Sequence, residues 1–487
     1  MAAYDLVIRE AKVATAADVF TCDIAVKGGK IAALGHDLPK GEQEVAAKGR
    51  IVTPGGIDGH IHLSQDVGAG AELADDFTSG TLSAACGGTT TIIPFAYQPR
   101  GHSLRAAVRD YHTKSDGKSF IDYAFHLIIT DPTTTVMGQE LPALIEDGYT
   151  SFKLYMTYDP IKLNDRQIVE ILSLARREQA MTMIHAENTD VIAWLTDILE
   201  GSGRIAPKFH GVSRPTIQEG EATHRAISFS ELLEVPILIV HVSSREAVEE
   251  IRRAQDRGLR IFAETCPQYL FLTADDMDPK DGHGAACVCS PPPRDKATQG
   301  VLWNAIANGT FSIISSDHSP FALKGARGKF AFGRNAPFSK IPNGVPGVET
   351  RLPLTMSEGV LKGRITLQQY VALTATNVAK IYGLSHRKGS IVVGHDADLV
   401  IWDTETERKV AQSMLHHNTD YTPYEGMTVS AWPDVVTSRG EVVVKGGEPA
   451  ASAKQGRGEF LRCERPEGAL PRKGVQGIEA RIAAMAP

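Results

Sequence analysis

At 487 residues the chain is long enough for one large domain with a smaller companion and a sizeable core. Its 42% hydrophobic and 22% charged residues exclude a disordered or fibrous chain. A net charge of −7, spread along the sequence, excludes a basic nucleic-acid footprint or a membrane-surface patch, and no apolar run approaches the ~18 residues of a bilayer span.

The opening residues, Met1-Ala-Ala-Tyr-Asp-Leu-Val-Ile-Arg, carry an early acid and lack an apolar h-region, so a signal peptide is not expected. Residues 4–50 alternate apolar and polar positions between glycine turns, as in Asp23-Ile-Ala-Val-Lys-Gly-Gly-Lys-Ile. From Ile51 strand-like runs recur: Ile51–Ile57, Thr89–Phe95, Tyr123–Ile129, Ser151–Tyr155, Thr182–Glu187, Ile237–Ser243, Ile261–Cys266 and Phe311–Asp317. Several are near-continuously apolar, as strands buried on both faces should be. Amphipathic stretches such as Leu163–Gln179 and Ser244–Gly258 lie between them; the second is entered through Ser244 as N-cap and closes on Gly258. This order predicts an α/β fold, a (β/α)8 TIM barrel, over residues 51–389.

Residues 390–450 return to the alternating pattern, in Asp398-Leu-Val-Ile-Trp-Asp and Ser438-Arg-Gly-Glu-Val-Val-Val-Lys. Each flank is too short for a robust β domain, so residues 1–50 and 390–450 are expected to form one small β-sandwich together. The Gly-, Pro- and charge-rich residues 451–487 are expected to be a tail or an oligomer arm. Six cysteines (22, 86, 266, 287, 289 and 463) are too scattered for a disulfide framework, which points to a reducing, cytoplasmic location.

Chemistry on a barrel of this kind sits at the C-terminal ends of the strands. The first strand leads to His60 and His62, and in extended backbone residues i and i+2 point the same way, so both imidazoles can reach one ion. The fourth carries Lys153, the fifth ends at His185, the sixth at His241 and the eighth at Asp317. Each alone could be a hydrogen-bonded core residue or a cap. Together they place four imidazoles, an amine and a carboxylate on one rim. A buried, unpaired ammonium is costly. Conversion of Lys153 to a carbamate by CO2 would relieve that cost and leave an anionic two-oxygen ligand.

The motifs Gly-Gly-Ile-Asp-Gly-His60-Ile-His62, Ser-Phe-Lys153, His185-Ala-Glu, His241-Val-Ser, Cys-Ser290-Pro-Pro-Pro-Arg, Ser-Ser-Asp317-His and Ile-Pro-Asn343-Gly-Val-Pro-Gly-Val-Glu resemble the dihydropyrimidinase/D-hydantoinase branch of the cyclic amidohydrolases. The resemblance runs from about residue 4 to 462. It implies two divalent metal ions, Zn2+ or alternatively Mn2+, with His60, His62 and Asp317 on one and His185 and His241 on the other. Lys153, as N6-carboxylysine, would bridge them, with a bridging hydroxide as nucleophile. It further implies Asp317 as general base then acid, Tyr158 as oxyanion donor, and Ser290 and Asn343 as residues whose backbone groups hold the imide edge of a cyclic ureide or imide. The reaction would be ring opening of a dihydropyrimidine or 5-substituted hydantoin to an N-carbamoyl amino acid, in a homo-oligomer (tetramer or dimer).

Cys287 and Cys289 are read as buried lining, His318 as an orienting or structural neighbour of Asp317, and Arg100 with His102 as part of a solvated loop. The polar, Gly-bearing stretch from Leu63 to Asp76 departs from the family's compact apolar loop. With Phe95–His102 and Tyr155–Lys162 it should line the exocyclic pocket and bear on substrate choice. An allantoinase or cyclic imidase is the alternative activity. Leu63 and Ser64, where a dihydroorotase carries an arginine, disfavour that enzyme, and retention of all six ligand positions disfavours a non-catalytic scaffold of the same fold.

Overall fold

The computed structural model describes residues 2–68, 70–278 and 283–485. Eight parallel strands follow one another in a single curled sheet: β1 (Gly56–Ile61), β2 (Thr89–Tyr97), β3 (His126–Ile128), β4 (Ser151–Tyr155), β5 (Met181–His185), β6 (Ile237–Ile239), β7 (Ile261–Thr265) and β8 (Ile313–Ile314). A parallel bridge between Ile61 and His318 brings the last strand back to the first, and the His62 amide donates to the His318 carbonyl at 2.8 Å. Helices alternate with the strands, as a (β/α)8 barrel requires. Their starts follow the side-chain chemistry: Asp76 caps Phe77–Cys86, Asn164 caps Asp165–Glu178, and Ser244 caps Arg245–Asp256, each accepting backbone N–H groups of the first turn. None of the described helices is long and apolar enough to cross a membrane.

Residues from both ends of the chain build a second, nine-stranded sheet, in which Leu399–Asp403 pairs antiparallel with Ile51–Pro54 and with Trp432–Ser438. Leu6, Ile8, Ile24, Val26, Val52, Leu399 and Ile401 form its buried core.

The expected first strand, Ile51–Ile57, is in fact two. Ile51–Pro54 belongs to the terminal sheet and β1 starts at Gly56. The chain crosses between sheets at Gly55, where a Cβ would lie 2.1 Å from Thr90 Oγ1; no larger residue fits there unless Thr90 moves.

Part of the expected tail packs against the barrel. The Leu461 amide donates to Tyr123 and the Cys463 amide to Gly148, and Leu461, Cys463 and Ala469 join the apolar cluster formed with Ile93, Met183 and Ile313. Residues 486 and 487 of that expected tail, and Ala69 of the loop after His62, lie outside the described residues.

Candidate active site

The six ionisable residues singled out on the strand ends converge at one end of the barrel, and all are buried. His60 lies within β1 and His62 just past it, with ring centroids 5.5 Å apart, and the Phe95 ring from β2 packs against both. Asp317 Oδ1 lies 3.2 Å from His60 Nε2 and 3.3 Å from His62 Nε2. Lys153 Nζ lies 3.0 Å from the same His60 nitrogen. His185, the last residue of β5, and His241, just past β6, stack edge to face at 4.3 Å, and the His241 ring lies 5.4 Å from that of His60.

Burial sets the charge states. It holds His60, His185 and His241 below the ordinary imidazole value, and the neighbouring cation of Lys153 pushes each further down. Neutral imidazole is the form that ligates a metal. Burial likewise lowers the Lys153 ammonium to about 8, although Asp317 and Glu264 oppose the shift. Burial would raise Asp317, but His60, His62 and Lys153 outweigh it and keep the carboxylate below its usual range.

Behind these groups stands a layer of partners. Glu264 on β7 accepts from His60 Nδ1 at 2.6 Å and from the His241 amide at 3.0 Å, which orients one ring and one backbone turn. Glu187 takes His185 Nε2 at 2.8 Å, Arg214 at 3.1 Å and Gln218 at 3.0 Å. Strand counting for histidine, lysine and aspartate passed over Glu264. Its signal is a lone carboxylate at the end of an otherwise apolar strand, level with the other rim residues.

Tyr158, His241 and Asp317 adopt φ of 69°, 40° and 47°, a region sparsely populated by residues other than glycine. Three such residues at one site mark a geometry held by its surroundings. Tyr158 stands over His185 with centroids 5.4 Å apart, and its hydroxyl accepts from Asn343 Nδ2 at 3.4 Å. Ser290 is buried, with Oγ 3.3 Å from His210 Nε2. The geometry thus brings Tyr158 and Asn343 together.

Arg100 donates to the carbonyls of Pro160 at 2.8 Å and Lys162 at 2.6 Å, so it braces the loop that carries Tyr158 instead of lying free in solvent. His102 is exposed. His318 accepts from the Gly347 amide on Nδ1 and pairs with Asp75 through Nε2 at 3.1 Å, tying the loop after His62 to the segment after Asn343. Cys287 and Cys289 are buried free thiols.

A divalent cation suits this donor set. The ligand atoms of His60, His62 and Asp317 lie within 4.8 Å of one another. Nδ1 of buried His241 has no hydrogen-bond partner, an orphan that a metal would satisfy. Imidazole nitrogen with carboxylate oxygen is a set favoured by zinc and its neighbours.

The profile of the amidohydrolase family matches residues 51–443. The chain is 43% identical to a D-hydantoinase of Ralstonia pickettii over 94% of its own length and 98% of that protein. A D-hydantoinase of Geobacillus stearothermophilus is also 43% identical, over 93% and 96% of the two chains. The crystal structure of a dihydropyrimidinase from Brevibacillus agri superposes with a TM-score of 0.91 at 39% identity, covering 94% of this chain and 99% of the other.

Proposed function

This chain belongs to the amidohydrolase family, and we propose on that premise that it opens hydantoins or dihydropyrimidines by hydrolysis of a ring amide bond, giving N-carbamoyl amino acids. The observation that carries the reading is the burial of His60, His62, Lys153, His185, His241 and Asp317 together on one barrel rim.

In this proposal His60, His62 and Asp317 hold one divalent cation and His185 and His241 a second, with zinc the ion best matched to the donors. Lys153 would offer both an anionic two-oxygen group as its carbamate, made when neutral Nζ bonds to the carbon of CO2 and releases a proton. The cation pair supplies Lewis acidity towards both water and the ring carbonyl.

The protein's own groups do the rest. Water enters as hydroxide after losing one proton to solvent; Asp317 takes the remaining proton and returns it to the ring nitrogen as the C–N bond breaks, so the carbonyl carbon is released as a carboxylate. The Tyr158 hydroxyl, beside His185, donates to the carbonyl oxygen as charge develops there. Glu264 holds His60 through Nδ1, which keeps Nε2 free of a proton. Backbone groups of Ser290 and Asn343 grip the imide edge and fix which carbonyl faces Asp317.

The test is a side-by-side assay of metal-loaded protein on hydantoin, 5-substituted hydantoins, dihydrouracil, allantoin and succinimide. Ring opening of a hydantoin or of dihydrouracil is expected. Opening of none of the five overturns the proposal, and opening of allantoin or succinimide alone reassigns the substrate within the same chemistry.

A further inference from the structure

Lys329 is a buried cation that the chemistry above leaves unused. It is 1% exposed, and among the described residues no carboxylate lies within ion-pair distance of it. Burial alone presses its ammonium down to about 7. Its Nζ donates instead to two backbone carbonyls, Val288 at 2.7 Å and Pro342 at 2.8 Å. Those acceptors stand two residues before Ser290 and one before Asn343. The Gly344 amide also reaches the Val288 carbonyl, at 3.0 Å, so a single oxygen receives both segments' ties.

The segment 320–337 that carries Lys329 is anchored at three further points. The amides of Leu323 and Lys324 donate to Asp420 at 2.6 and 2.8 Å. The Ala74 amide donates to Pro320 at 2.7 Å and the Glu72 amide to Arg327 at 2.8 Å, and Arg327 pairs with Glu72 at 2.8 Å. The chain doubles back on itself where the Lys329 amide meets the Ala322 carbonyl at 2.8 Å. One strap therefore joins the loop after His62 to the two segments that lead into Ser290 and Asn343.

We propose that Lys329 is a positioning residue: its ammonium sets the spacing of the Ser290 and Asn343 segments, and the strap transmits that spacing to the loop after His62. The proposal rests on the reading that those two segments hold the imide edge. A lysine amine suits the task because it carries up to three donors, and in its protonated form makes charge-assisted bonds roughly twice as strong as neutral ones. Desolvating it is worthwhile only where geometry matters more than stability, the use for which buried ions are best attested.

The experiment uses the full-length, metal-loaded enzyme with hydantoin and its 1-methyl and 3-methyl derivatives. The variants are Lys329→Met, Lys329→Arg and Asp420→Ala, each checked for metal content and circular dichroism. Lys329→Met is expected to raise KM for hydantoin by about tenfold, with kcat changed far less, and to erode the wild-type preference for hydantoin over the methylated rings. Lys329→Arg is expected to recover much of that preference. Asp420→Ala, which loosens only the exposed end of the strap, is expected to raise KM by about two- to threefold.

Wild-type KM and preference in folded, metal-loaded Lys329→Met overturn the proposal while leaving the imide-edge reading intact. A wild-type enzyme indifferent to methylation overturns both. Should Lys329→Met fail to fold, an unchanged KM and preference in Asp420→Ala overturn it.

Discussion

Lys153 shows how much one side chain decides here. Its Nζ sits 3.0 Å from His60 Nε2 in a fully buried position that tolerates a neutral amine better than an ammonium, although the faces of Phe95 and Tyr155 at 5.3 Å each attract a cation. Lys153→Ala is expected to lower kcat/KM by at least about 10³-fold and to leave fewer than two metal ions per chain. Two full equivalents of metal in that variant, measured by elemental analysis, would refute the bridging role. At this scale the sequence was readily legible. Alternation in extended backbone put His60 and His62 on one side, and counting strands brought Lys153, His185, His241 and Asp317 to the same rim. Glu264 and His126 stayed hidden for a physical reason. A lone polar residue in a short strand looks like an outward-facing position, and only closure of the barrel turns it inward, where His126 bonds Ser151 and the Gly59 carbonyl.

Among the elements, the least legible was the run from Ile51 to Ile61. Ile51–Pro54 and Gly56–Ile61 run on with a single residue between them and are almost wholly buried, so no local pattern separates one strand from two that pair in different sheets. The difference lies in the crossing at Gly55. Gly55→Ala would set a methyl group 2.1 Å from Thr90 Oγ1 and 2.5 Å from its Cγ2, both buried. A loss of about 1–3 kcal/mol is expected, read as an earlier urea midpoint. Thr90→Ala in the same chain should restore part of it, since it removes Oγ1 and Cγ2 and leaves only the Cβ contact at 2.8 Å. Additive losses in the double variant would show that the contact is not the cause. Helix starts, by contrast, were well marked, because a cap depends on one side chain and the three residues after it.

For the molecule as a whole, what matters is how the barrel and the terminal sheet hold together. Buried Lys388 gathers Asp122, which sits beside β2, with Asp396 and Asp398, which lead into the Leu399–Asp403 strand, at 2.7, 3.0 and 2.7 Å. Burial would lower its pKa, but Asp398, Asp122 and Asp396 outweigh burial and hold it above the ordinary value of 10.5. A raised folded-state value means that, while the carboxylates are ionised, this stabilisation is complete below the ordinary value of 10.5 and fades as pH climbs through the folded value. Lys388→Met leaves buried Asp398 with no cation among the described residues, while Asp396 keeps Arg387 at 2.7 Å and Asp122 keeps Arg439 at 3.2 Å, and is expected to cost about 3–5 kcal/mol. By urea titration the deficit should stay level between pH 6 and 9, then shrink in acid as the carboxylates take up protons. A deficit that grows in acid would argue against the cluster. The sequence could not reveal it, because its members lie up to 276 residues apart, from Asp122 to Asp398. The same long separation governs how the chain is made. The strand Ile51–Pro54 leaves the ribosome early, whereas its neighbour Leu399–Asp403 follows only after some 345 residues, which at about 5–20 residues per second is a wait of roughly 20–70 s. Throughout that interval one side of Ile51–Pro54 is an unpaired edge, open to another nascent chain, so fast translation protects this fold and slow translation exposes it.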